Sequence, residues 1–144
     1  MTKFLLAVHV LAAIVAVGPV TVAASMFPRM VRQAPRSAPL LHRICRVYAG
    51  VGVVVPVFGL ATASSMGVLG DAWLIASIAL TAVAAAVLGL FVLPRQETVL
   101  AALDAGTDPG GGVARLALLT GVFNLLWATV TVLMIVRPGS TTGA

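Results

Sequence analysis

The chain has 144 residues, of which 60% are hydrophobic and 9% are charged. Soluble domains keep about a quarter of their residues charged, so this composition belongs to proteins whose solvent is a bilayer. The formal charge of +5 rests on arginines and one lysine against four acids. With no soluble basic domain to grip nucleic acid, the expected contacts of these charges are anionic lipid headgroups. Cys45 is the single cysteine, so an internal disulfide is excluded.

In hydrocarbon every backbone polar group must be satisfied inside a helix or a closed barrel. The apolar runs here are long and continuous rather than short and alternating, which selects helices. The expected fold is all-α: one domain over residues 1–144, a four-helix transmembrane bundle with antiparallel up-down spans.

The first span is predicted over residues 3–27. Its roughly 24 residues give about 36 Å at helix rise, enough to cross with some tilt. Lys3 and the small residues Val22-Ala23-Ala24-Ser25 loosely resemble a signal peptide with its cleavage site. The apolar run, however, exceeds the usual h-region of about 7–15 residues, so it reads as a retained helix. Gly18-Pro19 should bend it, and Pro28 should stop it. The first loop, residues 28–46, holds Arg29, Arg32, Arg36, Arg43 and Arg46 and no acid. Ser37 is a candidate N-cap for a helix starting near Ala38, whose membrane part covers 47–68. The turn at Leu69-Gly70-Asp71-Ala72 is so short that spans two and three should pack side by side. Span three covers 72–93, with Trp73 as an interfacial anchor. Beyond Pro94, residues 95–105 suit a short amphipathic helix that buries Val99, Leu100 and Leu103 and ends at Gly106. Residues 107–112 read as a flexible linker within the second long loop, 94–112. Span four covers 113–136, Pro138-Gly139 ends it, and the tail from Ser140 to Ala144 should fray.

Seven of the nine basic residues lie in the first and third loops or beside them. The positive-inside rule therefore puts loops 28–46 and 94–112 in the cytoplasm and both termini outside. Small residues at helical spacing mark close-packing faces. They are His9, Ala13, Ala16, Val20 and Ala24 in span one, and Gly52, Pro56, Gly59, Ala63 and Gly67 in span two. Span three has Ala79, Ala82, Ala86 and Gly89; span four has Ala117, Gly121, Asn124, Ala128 and Thr131. If all four faces point inward, little room remains for a central pore.

Candidate chemistry is sparse. His9 lies about 9 Å below the outer surface by helix rise. An intramembrane imidazole either holds a neighbouring helix, ligates haem or a metal, or handles protons. Met66 and Met134 are expected at comparable depth. His9 with Met134 would suit haem, and His9 with Met66 and Met134 would suit copper, unless the methionines only fill gaps. Asn124 needs a cross-helix partner. His42 and Cys45, three apart, could share a metal or simply belong to a solvated basic face. No phosphate loop, dinucleotide fingerprint or nucleophile elbow is present, and no catalytic residue is assigned.

The opening Phe4-Leu5-Leu6-Ala7-Val8-His9-Val10-Leu11-Ala12-Ala13-Ile14-Val15-Ala16-Val17-Gly18-Pro19 resembles that of a family of bacterial integral membrane proteins of unknown function. The ending Leu133-Met134-Ile135-Val136-Arg137-Pro138-Gly139 resembles the same family's closing Leu-Met-Val-x-Lys-Pro, with Arg137 in place of Lys. That family is distantly similar to the copper-resistance D type and to the haem-associated HemJ type. The resemblance implies a first-span haem-ligand candidate at His9; the second and third spans carry no Lys or His. The sequence thus points to a multi-pass protein of the bacterial cytoplasmic membrane with a non-enzymatic role. It would act as a binding, transport-accessory or complex-associated subunit, as a homo-oligomer or within a larger membrane complex. The alternative is a haem- or copper-binding redox protein using His9.

Overall fold

The computed structural model describes residues 2–139; the tail from Ser140 to Ala144 lies outside the described residues. It is all-helical. Helix α1 runs Thr2–Gln33, α2 Ala38–Val51, α3 Val54–Met66, α4 Ala72–Ala86, α5 Leu93–Asp104 and α6 Gly112–Val136. A 3₁₀ turn at Pro35–Ser37 leads into α2, and a π segment at Val87–Val92 joins α4 to α5. Among the described residues these make four continuous rods long and apolar enough to cross a membrane: Thr2–Gln33, Pro35–Met66, Ala72–Asp104 and Gly112–Val136.

The rods are longer than the apolar runs, and their prolines account for the difference. Pro28 does not stop α1. It deprives only the carbonyl of Ala24 of its donor, and the helix keeps Phe27, Pro28 and Val31 buried by continuing. The stop comes at Ala34, which Pro35 pushes out of the α region to φ −145° and ψ 69°. Ser37 is itself helical at φ −86° and makes no side-chain cap, because the 3₁₀ turn already occupies the place before α2. Pro56 withdraws the donor that Gly52 would have had, so the chain tightens there. Val53 N–H reaches Gly50 and Val55 N–H reaches Gly52, each a three-residue step, and α2 ends where α3 begins. At Pro94 the helix widens instead. Leu93 N–H bonds to the carbonyl of Leu88, five residues back, so α5 continues span three rather than standing apart.

Helix α1 is the hub. It packs along α2 and α3 on one side and α6 on the other; α6 also packs on α4, and α2 meets α5. Spans two and three meet at their two ends rather than along their whole length, α2 on α5 at one end and the turn at the other. Helices α3 and α4 meet around their turn, where Ala63, Val68, Trp73 and Leu74 form a small cluster with Met66 and Met134 against it. Gly67 makes that turn at φ +72° and closes α3 as a Schellman cap, with Val68 N–H on Ala63 and Gly67 N–H on Ser64.

The main core lies toward the arginine-bearing ends. Val20, Ala24, Phe27, Val31, Leu41, Cys45, Leu88, Val92, Val99, Leu116 and Phe123 form one buried cluster there. The small-residue face of α1 points inward as the spacing implies: Ala16, Val20 and Ala24 are buried and Gly52 sits on Ala16. Those of spans three and four turn outward over most of their length, with Ala86, Asn124 and Ala128 half-buried. Ala79, Ala82, Gly89, Ala117 and Gly121 are exposed, while Leu88, Leu116 and Phe123 fill the interior. Interdigitated large side chains bury more contact than close backbones do, and α4 and α6 adopt that solution.

Candidate functional site

Polar side chains inside an apolar helix must find partners, so they mark where the helices are tied together. Three such joints stand out among the described residues, besides the exposed contact of Thr2 with Ser65 between α1 and α3.

The most buried one joins α2 to α5. His42 Nδ1 donates to Gln96 Oε1 at 2.8 Å, and Gln96 Nε2 donates to Cys45 Sγ at 3.7 Å. Gln96 and Cys45 are fully buried and His42 is 7% exposed. Residues 42 and 45 share a face of α2, as their spacing requires, but that face is an inward one. Gln96 engages both, so the imidazole and the thiol hold α5 rather than forming a solvated basic face. Glu97 Oε1 lies 3.6 Å from His42 Nε2 and is itself exposed.

The π segment sets this joint in place. The buried residues Ala84, Leu88, Val92 and Gln96 step by four three times in succession. An ideal α-helix turns about 100° per residue, so Gln96 would drift about 120° from Ala84. The wider π turn cancels that drift and brings Gln96 to His42. Reading the sequence alone does not single out this joint, although the run of fours, ending beside Pro94, is its trace.

The second joint contains His9. Its Nδ1 donates to the carbonyl of Val55 at 2.9 Å, and the ring lies against Gly59. A Cβ on Gly59 would sit 2.9 Å from His9 Cε1, so any larger residue there requires the imidazole to shift from its place beside Val55. Met66 and Met134 are not brought to His9. They pack on the cluster around Trp73, and Met66 lies seven residues beyond Gly59, about 10 Å along the helix. At this same end Arg137 lies over the Trp73 ring, 5.6 Å from its centroid, and Trp73 Nε1 donates to Asp71 at 3.1 Å.

The third joint links α6 to α1. Asn124 Nδ2 donates to Ser25 Oγ at 3.0 Å, and Trp127 Nε1 donates to Asn124 Oδ1 at 3.4 Å. Arg29, Arg32, Arg36, Arg43 and Arg46 are all exposed. Among the described residues no group of three or more His, Cys, Asp or Glu is gathered closely enough to hold a metal ion.

Comparison of the chain with protein-family models, with curated proteins and with solved structures finds no match.

The joints make two outcomes measurable. Gly59→Ala forces the imidazole off its seat and destabilises the protein by about 1–3 kcal/mol. In a His9→Ala background the same change costs less than half as much, as read by denaturant titration in micelles. Gln96→Leu leaves His42 Nδ1–H buried without a partner, at about 1–3 kcal/mol. Cys45 then reacts with maleimide about tenfold faster, because the α2–α5 contact opens more often, while Glu97→Gln at the exposed rim leaves the rate near that of the parent.

Proposed function

We propose that the chain is a multi-pass protein of the bacterial cytoplasmic membrane whose role is non-enzymatic: a small binding, transport-accessory or complex-associated subunit. Its four spans alternate in direction, both termini face outward, and the arginine-bearing ends face the cytoplasm against anionic headgroups. Contacts between α1 and α3 support the alternation: Thr2 meets Ser65, His9 meets Val55, and Ala16 meets Gly52. One sequence number rises as the other falls. The observation that carries the non-enzymatic reading is the engagement of His9, His42, Gln96 and Asn124 in contacts between helices, with no group of three or more His, Cys, Asp or Glu gathered among the described residues.

Cys45 cannot report sidedness, because it is fully buried. Exposed positions can. In a Cys45→Ser background, Gly70→Cys should react with an impermeant maleimide in intact cells, and Ser37→Cys only after the membrane is opened. The reverse pattern overturns the orientation.

One observation favours the second reading, a haem- or copper-binding redox protein using His9. The Nδ1–H bond to the Val55 carbonyl is the support that metal-ligating imidazoles usually have, and it leaves Nε2 as the coordinating atom. The remaining residues do not fit as a set, since Met66 and Met134 pack on the cluster around Trp73, Met66 about two turns beyond Gly59. The protein purified from membranes should therefore show no Soret band and no bound copper. A band that His9→Ala abolishes would establish the second reading.

A further inference from the structure

We infer that the first turns of α2 form a binding site for one anionic phospholipid, with Arg43 and Arg46 on the phosphate and the apolar side chains beyond them along its acyl chain. Residues 43, 46 and 47 share a helix face by their spacing. His42, Arg43, Arg46 and Val47 line one open groove. Both guanidiniums are exposed, and neither pairs with a carboxylate among the described residues. Two planar forks three residues apart suit the oxygens of a phosphate diester, each fork offering parallel donors. His42 closes the groove on its buried side. Its Nδ1 is bonded to Gln96, which fixes the ring and with it the helix face that carries both arginines. Glu97, the acid nearest this imidazole, is not among the residues lining the groove.

The apolar face beyond the arginines points to a lipid rather than a free phosphate. Val47, Val51 and Val54 are 53%, 44% and 42% exposed and recur at steps of four and three. They continue the face of Arg43 along the rod, away from its charged end. An ion needs no such track, whereas an acyl chain attached to the bound phosphate would lie along it. Behind Arg29, α1 also exposes Met26 and Val22, so what sets its basic positions apart is that they are already engaged or terminal. Arg29 and Arg32 end that helix, and Arg29 Nε donates to Gln33 at 3.3 Å.

The site rests on the membrane reading proposed above but not on its sidedness. The test uses the full-length protein in mild detergent and native mass spectrometry with phosphatidylglycerol, phosphatidylcholine and soluble glycerol phosphate. Phosphatidylglycerol should be retained at least tenfold better than phosphatidylcholine and should resist millimolar glycerol phosphate. Arg43→Gln or Arg46→Gln should weaken retention about fivefold, and the pair about 25-fold; Arg29→Gln with Arg32→Gln should change it less than twofold. Equal retention of the two lipids overturns the site, as does an equal loss in the Arg29 and Arg32 pair. Displacement by glycerol phosphate would reassign the groove to free phosphate and overturn the lipid. None of these results touches the membrane spans, which fail separately if the protein is recovered in buffer without detergent.

Discussion

The structure depends on one constraint: in an apolar surrounding, a backbone carbonyl that loses its donor has no water to turn to. Four prolines, Pro19, Pro28, Pro56 and Pro94, each remove a donor within the helical rods. At Pro19 and Pro28 the helix runs on and bears one missing bond, because α1 is buried on both sides of Pro28 and leaving the helix would strip several more. At Pro56 the chain contracts into three-residue bonds and divides span two into α2 and α3. At Pro94 it expands into a π segment. The local sequence sets the problem at each proline, and the packing around it sets the answer.

The expansion at Pro94 has the longest reach. It holds Ala84, Leu88, Val92 and Gln96 on one line, so the side chain that emerges opposite α2 is the glutamine. That glutamine has a carbonyl for the imidazole and an amide for the thiol, and it meets both. A buried network of this kind is stable only when each member is satisfied. His42, Gln96 and Cys45 come close to that condition, with the second imidazole nitrogen left toward Glu97. The joint lies within the main cluster and beside the exposed arginines, so the best-packed part of the protein also presents its charge.

The four apolar runs, the tight turn at Gly70 and the end of α5 at Gly106 are legible in the sequence because each has a local cause: hydropathy, the Gly70-Asp71 break between two apolar runs, and a glycine at positive φ. The ends of the rods are less so. Pro28 reads as a stop because a proline discourages the residue before it from being helical, and only the burial of Phe27 and Val31 shows why it is overruled. A four-residue turn suggests side-by-side packing of spans two and three, but a short turn fixes only the ends of the helices it joins. The candidate site divides in the same way. That His9 needs a partner can be read from its position; that the partner is a carbonyl beside Gly59, far from both methionines, depends on the register between α1 and α3. Gln96 draws no notice because a glutamine after an apolar span looks like the start of a loop.

The three joints are not equal, and their differences give the fold a direction. His42–Gln96–Cys45 is buried inside the largest cluster, between helices whose neighbours also touch. Asn124–Ser25 lies at the edge of that cluster. His9–Val55 is half-buried, and α3, which it holds, packs chiefly along α1 and joins the cluster at its own turn. Cooperative opening begins where buried contacts are fewest, and α3 buries Thr62 and Ala63 alone and begins at a break in the hydrogen-bond ladder at Gly52-Val53. Within this fold α3 is therefore held chiefly by α1. A glycine at position 59 is what allows the His9 imidazole to reach the helix and hold it.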